Sequence, residues 1–156
     1  MSDKVQAALE ARKKRLESTR SNDRVAAALE ARKRAYAPYS RFAVGAAVFT
    51  KDGQVYTGCN IENASYGATN CAERTAIFKA VSEGCEELVK IAIVGGKVGE
   101  KITEYAYPCG VCRQVMAEFS NPKELKVLVA KSEEEYLEMT LEELLPNSFG
   151  GHIWSI

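Results

Sequence analysis

The chain has 156 residues, of which 46% are hydrophobic and 27% charged, values typical of soluble globular domains that exclude wholesale disorder. Lysine plus arginine and aspartate plus glutamate number 21 each, so no global field favours a nucleic acid or an anionic membrane as the partner. The sequence has no span of about 20 apolar residues and no apolar signal-peptide stretch near its start. We therefore expect a cytoplasmic protein that acts on a small, neutral partner.

The N-terminal part contains an internal repeat. Segment 5–13, VQAALEARK, recurs as VAAALEARK at 25–33, and each copy is predicted to form an amphipathic helix. The polar residues 17–24 between them predict a linker, with Ser21, Asn22 and Asp23 as candidate N-caps of the second helix. We predict a helical extension over 1–24 and the main domain over 25–156. A loose extension and a role in assembly or anchoring both remain open for the first copy.

Strands follow the second helix. Pro38 ends that helix, and residues 42–50 are rich in the small and β-branched types that favour a strand. Asp52-Gly53 is typical of a tight hairpin, so residues 54–61 should return antiparallel to the first strand.

The rest of the chain alternates helices and strands. The predicted elements are a helix over 71–82, a strand over 88–94, a glycine-rich loop over 95–99, a helix over 110–119, a strand over 125–130, a further short strand over 134–138 and a capped helix over 140–145. The fold class is therefore α/β, as a three-layer α/β/α sandwich around a mixed sheet of roughly five strands.

Three of the five cysteines fall in two motifs, Cys71-Ala-Glu73 and Pro108-Cys109-Gly-Val-Cys112. Both motifs open a predicted helix, where the partial positive charge of the N-terminus favours thiolates over thiols. Three thiolates can hold Zn²⁺ and leave one tetrahedral position open for water, as a catalytic zinc site does.

Other uses of these cysteines compete with a catalytic site. His152 lies almost at the C-terminus, and Cys59 and Cys85 fall outside the motifs, so a closed four-ligand site is disfavoured. A zinc ion that only joins two helices and three unmetallated core thiols remain as alternatives.

Glu73 is the candidate catalytic residue. On a regular helix it would lie about 200° around the axis from Cys71 and face away from the metal. The two side chains can face the same site if Cys71 is the helix cap, where the backbone is not yet helical. Glu73 would then move protons between water and substrate as a general acid and base rather than bind the metal.

A nearby cation should offset the charge of the three thiolates. A divalent ion together with three thiolates carries a net charge of about −1, which makes a water molecule bound to the ion less acidic. Arg74 follows Glu73 and Arg113 follows Cys112, and either can donate hydrogen bonds to the sulfur atoms. We favour Arg74, although an ordinary ion pair is the alternative for each arginine.

At these residues the chain resembles the homotetrameric cytidine deaminases, which use only cysteines as zinc ligands and belong to the cytidine and deoxycytidylate deaminase family. A Cys-x-Glu followed by Pro-Cys-x-x-Cys is the signature of zinc deaminases. The resemblance extends over about 25–150 and includes further blocks, namely 36–40 (YAPYS), 42–47 (FAVGAA), 58–66 (GCNIENASY), 71–75 (CAERT), 108–114 (PCGVCRQ) and 143–146 (ELLP).

The resemblance implies one Zn²⁺ per chain and the hydrolytic deamination of cytidine and deoxycytidine to uridine and deoxyuridine, with release of ammonia, in pyrimidine salvage. It implies that Asn60 and Glu62 bind the ribose hydroxyls, that Phe42 stacks on the pyrimidine and that the backbone at Ala72 contacts the edge of the base. These are the substrate-binding residues that we expect within one chain.

Two further residues are expected to act between subunits. Tyr66 and Phe149 resemble side chains that reach the active site of a neighbouring subunit, which implies a homotetramer with shared active sites. Ordinary packing is the alternative for both. Tyr107 departs from the family pattern, which has a small residue at this position beside the site.

Three other functions compete with nucleoside deamination. Deamination of another small aminopyrimidine would share the zinc motif but would not need Asn60 and Glu62. Editing of cytosine in RNA or DNA would need a basic groove with stacking aromatic residues, for which the balanced charge gives no support. A zinc-stabilised oligomer without activity would leave Glu73 without a role.

Overall fold

The structure is a computed structural model that describes residues 2–150, with residues 14–22 described by their backbone alone. His152 therefore lies outside the described part. In residues 2–150 no helix combines the length and the apolar composition needed to cross a bilayer. The elements are α1 (Asp3–Arg32), β1 (Phe42–Thr50), β2 (Val55–Cys59), a short 3-10 turn (Tyr66–Ala68), α2 (Ala72–Ser82), β3 (Leu88–Lys97), α3 (Gly110–Glu118), β4 (Lys126–Ala130), β5 (Tyr136–Thr140) and α4 (Leu141–Leu144).

The five strands form one mixed sheet in the order β2-β1-β3-β4-β5. β3 lies in the centre, where it pairs antiparallel with β1 and parallel with β4. The parallel pair is joined by a crossover that contains α3, as parallel neighbours require. The predicted α/β class and the mixed five-stranded sheet are confirmed.

Both faces of the sheet are buried under helices. Successive residues of a strand point to opposite faces, and here both sets are apolar. On one face the second half of α1 packs Val25 and Ala28 against Ala47, Ala92, Val94, Leu128 and Ala130. On the other face α2 and α3 cover Ala46, Val48, Ile91, Ile93, Val127 and Val129. These layers form the predicted α/β/α sandwich.

The prediction of two N-terminal helices joined by a linker is wrong. α1 is continuous over its 30 residues, and Ser21, Asn22 and Asp23 lie inside it rather than at a cap. Segment 17–24 contains no glycine or proline, and polar residues weaken a helix by at most about 0.7 kcal/mol each. A helix that is already fixed to the sheet at its second half can therefore propagate through them.

The β1–β2 hairpin and the last helix form as predicted. Phe49 pairs with Val55 across the turn, and Gly53 has a φ of +87°, a conformation that suits glycine. Thr140 Oγ1 accepts a hydrogen bond from the Glu143 backbone N at 3.2 Å, and the Glu143 side chain accepts one in return, so a capping box starts α4.

The prediction of a glycine-rich loop from residue 95 is also wrong. β3 continues to Lys97, so Gly95 and Gly96 are strand residues. A Cβ at Gly95 would lie 2.8 Å from Ala106 Cβ and 2.9 Å from Phe42 Cε1. Glycine is needed here for close packing rather than for a turn, and it lets the segment around Ala106 approach Phe42.

Candidate active site

Three cysteines converge at the first turns of α2 and α3. Cys71 is the N-cap of α2, Cys109 is the N-cap of α3, and Cys112 lies in the first turn of α3. Their Sγ atoms lie within 4.8 Å of one another, with 4.0 Å between Cys71 and Cys109. Tetrahedral zinc with Zn–S bonds of about 2.3 Å needs sulfur atoms about 3.8 Å apart. Both the donor set and its spacing fit zinc.

The backbone at the two helix starts directs the thiols toward each other. Cys71 and Cys109 both have extended conformations, with φ/ψ of −73°/156° and −69°/167°, and neither side chain caps its own helix. The thiols thus accept no capping hydrogen bond from the backbone N–H groups of the first turn. They lie beside two helix N-termini, whose partial positive charge stabilises a thiolate.

The environment of Cys71 favours its thiolate form. Its pKa falls to about 5 because the Cys112 thiol and the Arg74 guanidinium donate to it, with Arg74 Nη2 3.3 Å from Cys71 Sγ. The pKa of Cys112 is raised, since this thiol keeps the proton that it shares with Cys71 and is buried.

Arg113, the other candidate cation, has a different role. Its Nε donates to the Pro108 carbonyl oxygen at 2.8 Å, and its Nη1 donates to the Leu144 carbonyl oxygen at 2.7 Å. These bonds tie the start of α3 to the end of α4. Of the two arginines, Arg74 is the one for which a hydrogen bond to sulfur is observed.

Glu73 faces the same cavity as Cys71 although only two residues separate them. The extended backbone of Cys71 places it outside the regular helix, which is the condition that the sequence required. The Glu73 residue is only 4% exposed. Burial raises the pKa of its carboxyl group, and the neighbouring Cys71 charge acts in the same direction. A carboxyl group with a raised pKa binds a proton more readily than an ordinary one, which suits a group that must take up and release protons during a reaction.

A cavity of about 190 Å³ opens above the cluster. It is lined by Phe42, Val44, Asn60, Thr69, Asn70, Cys71, Ala72, Glu73, Ile93, Ala106, Tyr107 and Cys109. The structure therefore gathers Phe42, Asn60 and Ala72 around the thiols and Glu73. Cys112 lies behind them and is completely buried.

Asn60 and Glu62 are held by backbone groups. Asn60 Oδ1 accepts from the Val44 N–H, and Asn60 Nδ2 donates to the Phe42 carbonyl oxygen, both at 2.8 Å. Glu62 Oε1 accepts from the N–H groups of Tyr39 at 3.0 Å and Ser40 at 3.1 Å. Asn60 lines the cavity, whereas Glu62 lies outside the set of lining residues.

Tyr66 and Phe149 do not reach the cavity of their own chain. They are 78% and 88% exposed, respectively, and neither belongs to the lining set. The edge of the Tyr66 ring packs on Tyr39, with 6.3 Å between ring centroids. Phe149 is fixed through its backbone, since its carbonyl oxygen accepts from Gln114 Nε2 at 2.9 Å.

Some lining residues were not found from the sequence. They are Val44, Thr69, Asn70, Ile93 and Ala106. The signal was present for Val44, which is two residues after Phe42 on the same strand face, and for Asn70, which directly precedes a thiol. Tyr107, expected to border the site, is a half-exposed lining residue.

A buried carboxylate beside a three-thiolate cluster suits metal-assisted hydrolysis, and comparison with known proteins narrows this class. The family model described as "Cytidine and deoxycytidylate deaminase zinc-binding region" matches residues 18–129. The chain belongs to the cytidine and deoxycytidylate deaminase family. It is an enzyme, a hydrolase of the deaminase type.

Individual relatives agree with this assignment. A cytidine deaminase of Halalkalibacterium halodurans is 54% identical over 115 residues, which cover 74% of this chain and 83% of that protein. One from Sporosarcina psychrophila is 47% identical over 116 residues, covering 74% of this chain and 81% of that protein. The crystal structure of cytidine deaminase from Burkholderia pseudomallei superposes with a TM-score of 0.73 at 46% identity, over 81% of this chain and 97% of that one.

Proposed function

We propose that the chain catalyses the hydrolytic deamination of cytidine and deoxycytidine to uridine and deoxyuridine, with release of ammonia. The observation that carries this proposal is the opening of buried Glu73 and the thiols of Cys71 and Cys109 into one cavity that Phe42 and Asn60 also line. The names of the relatives support cytidine as the substrate. Deoxycytidine is part of the proposal because both nucleosides share the same base.

Cys71, Cys109 and Cys112 would hold one Zn²⁺ per chain. Bound there, zinc would lower the pKa of a water molecule and so supply a nucleophile near neutral pH. Arg74 would help by donating to Cys71, because a hydrogen bond to sulfur draws charge away from the ligand. The support is the 3.3 Å contact between Arg74 Nη2 and Cys71 Sγ.

Glu73 would carry the protons of the reaction. Its carboxylate would accept a proton from the attacking water and deliver it to the ring nitrogen of the base. It would then take the second proton of that water, from the hydroxyl group formed at the ring carbon, and transfer it to the amino group, which leaves as ammonia while the carbonyl group forms. The burial and raised pKa of Glu73 support this role, because a carboxyl group with a raised pKa accepts a proton more readily than an ordinary carboxylate.

The remaining cavity residues would bind the nucleoside. Phe42 would stack on the pyrimidine, and the backbone at Ala72 would contact the edge of the base. Asn60 and Glu62 would bind the sugar hydroxyl groups, Asn60 through the second N–H of its amide and Glu62 through Oε2. Their backbone hydrogen bonds support this role, because a preorganised side chain loses little freedom on binding.

We further propose a homotetramer in which Tyr66 and Phe149 complete the active site of a neighbouring subunit. Their exposure in the single chain supports this, because large exposed aromatic side chains are typical of interfaces. Sedimentation of the purified protein tests the assembly, and a stable monomer with full activity would exclude shared sites.

Residues 25–156 would form the catalytic domain, with 1–24 as an extension. The reaction would serve pyrimidine salvage in the cytoplasm.

The test is the loss of cytidine absorbance in the ultraviolet, with the zinc content determined on the same sample. Rapid loss with about one zinc per chain is the expected result. Full zinc occupancy without loss would contradict the proposed substrate. Assays of other aminopyrimidines and of cytosine in single-stranded RNA and DNA would then show which competing function applies.

A further inference from the structure

The N-terminal repeat is longer than its conspicuous core. When residues 3–14 are aligned with residues 23–34, nine of the twelve positions carry the same residue. Two of the three differences exchange lysine for arginine, at 4/24 and 14/34, and the third pairs Gln6 with Ala26. The chain thus contains the same helical segment twice, 20 residues apart.

The second copy is docked on the sheet through a defined set of side chains. Val25 and Ala28 are fully buried, and Ala31 is nearly so. Arg32 completes the contact, since its Nε donates to the Ala43 carbonyl oxygen at 2.9 Å and its Nη2 to the Gly96 carbonyl oxygen at 2.8 Å. These groups define a docking groove on β1 and β3.

The docked helix and β1 are closest at Gly45, where the strand has no side chain. A Cβ added to Gly45 would lie 1.9 Å from the Ala28 carbonyl oxygen and 2.6 Å from the Arg32 backbone N. Helix and strand therefore approach each other by backbone contact at Ala28, whose side chain is fully buried. The first copy has Ala8 there.

The first copy has the same four residues that dock the second copy on the sheet. Val5, Ala8, Ala11 and Arg12 correspond to Val25, Ala28, Ala31 and Arg32. All four are exposed, with Val5 at 48%. The position of the one non-conservative difference, Ala26, is only half-buried in the docked copy, so Gln6 would not prevent docking.

The cation at the start of each copy is also preserved. The Arg24 guanidinium lies over the Phe49 ring, 4.0 Å from its centroid. Lys4 takes the equivalent place in the first copy, and a lysine ammonium can make the same type of contact with an aromatic ring.

We propose that either copy can occupy this groove within one chain, so that α1 has a second docking register in which residues 3–14 replace residues 23–34. Tyr36 would stay in place, because its N–H donates to the Asn60 carbonyl oxygen at 3.0 Å. Residues 15–35 would then form a loop. Closing a loop of about 20 residues disfavours this register by about a hundredfold, from the three-halves power of the loop length.

The second register would keep a helix packed on the sheet face opposite to α2 and α3. Arg32 binds the carbonyl oxygen of Ala43, which is next to Phe42 in the cavity wall. If the second copy is damaged, Arg12 can make this bond in its place. The N-terminal copy is thus a second helix that can pack on the sheet in place of residues 23–34.

The first test is a cycle of substitutions in the full chain, followed by equilibrium unfolding in denaturant. In the register described, Val5 and Ala8 lie about 30 Å along α1 from their equivalents, so V5D/A8D should change the unfolding constant less than twofold. Adding V5D/A8D to V25D/A28D should raise it at least tenfold more, because the replacement helix is then lost. Additive effects, or a V25D/A28D variant that does not fold, would overturn the proposal.

The second test is limited trypsin digestion, with the fragments identified by mass spectrometry. The wild type should be cut first at Arg12 and Lys13, in the exposed copy. V25D/A28D should instead be cut first at Arg32 and Lys33, with Arg12 protected by docking. Unchanged first cleavage at Arg12 in this variant would also overturn the second register.

Discussion

Arg74 Nη2, in the first turn of α2, lies 3.3 Å from the Sγ of Cys71, the N-cap of that helix. The guanidinium thus donates a hydrogen bond to the thiol whose pKa is lowered to about 5. Arg113 follows another cysteine but binds the carbonyl oxygens of Pro108 and Leu144 instead. The two arginines beside the cluster therefore have separable roles. Arg74 interacts with the charge of a thiol, and Arg113 holds the start of α3 against the end of α4.

Replacement of Arg74 by Gln should lower zinc affinity and turnover by about 10- to 100-fold, the usual effect of losing a partner of a metal ligand. Arg113→Gln should mainly lower the free energy of unfolding, because it releases the end of α4. Zinc titration and denaturant unfolding of both variants separate these effects. A larger loss of zinc affinity in R113Q than in R74Q would contradict the assignment.

Glu73→Gln should lower kcat by at least about 10²- to 10⁴-fold, because an amide cannot move the protons. Zinc content should stay unchanged, and thermal stability should not fall, since a buried carboxylate is replaced by a neutral group of similar shape. Glu83→Gln, at the exposed C-cap of the same helix, is the matched control. Near-normal turnover in E73Q would exclude Glu73 as the proton carrier.

Cys112→Ser should lose zinc and become less stable, because its thiol is completely buried. Cys85→Ser is the control, since the Cys85 thiol lies outside the cluster and contacts the Glu87 carbonyl oxygen at 3.5 Å. A chelator should lower the melting temperature of the wild type and of C85S but leave C112S unchanged, because bound metal stabilises only a chain that can hold it. Equal zinc content in both variants would speak against the three-thiol site.

Gly45→Ala should destabilise the fold by about 3 kcal/mol or more, because the added methyl group meets backbone atoms of α1 that cannot move aside. Gly67→Ala is the control, as a Cβ there would meet no atom within 4 Å. It should change stability by less than about 0.5 kcal/mol. Denaturant unfolding measures both, and equal stability of the two variants would mean that α1 does not pack on β1 as described.

Glu62→Gln should change how stability depends on pH. The Ser40 and Tyr39 hydrogen bonds hold the pKa of the Glu62 carboxyl below its ordinary value of 4.5. A lowered pKa in the folded state contributes stability above the unfolded value, and this contribution is lost as the pH falls through the folded value. The wild type should therefore lose stability relative to E62Q below about pH 4.5. Melting temperatures of the wild type and E62Q are measured from neutral to acidic pH. If the two change in parallel, these hydrogen bonds do not contribute to stability.

Much of the fold could be predicted because its local signals agree with its long-range contacts. Asp52-Gly53 set the hairpin, and Thr140 with Glu143 set the last helix. The spacing of the thiols predicted their convergence because both motifs start helices. The proposed roles of Glu73 and of the nucleoside-binding residues stay predictions that the experiments above can test.

The errors arose where tertiary packing overrides local preference. Ser21, Asn22 and Asp23 favour a helix start, but the docked second copy lets α1 continue through them. Gly95 and Gly96 indicated a loop, but they are strand residues that make room for Ala106 and Ile102. Thr69 lines the cavity because of the conformation of its loop. The sequence has no periodic pattern there from which this conformation could be predicted.

The order of the elements also sets when the cysteine cluster can form. Cys71 precedes β3, whereas Cys109 and Cys112 follow it, on the crossover to the parallel strand β4. The β1–β2 hairpin needs only local contacts, but a parallel pair forms only after its whole crossover has closed. We expect the metal site to assemble among the late events of folding. During refolding, zinc uptake should lag behind amide protection in the hairpin and so report completion of the sheet.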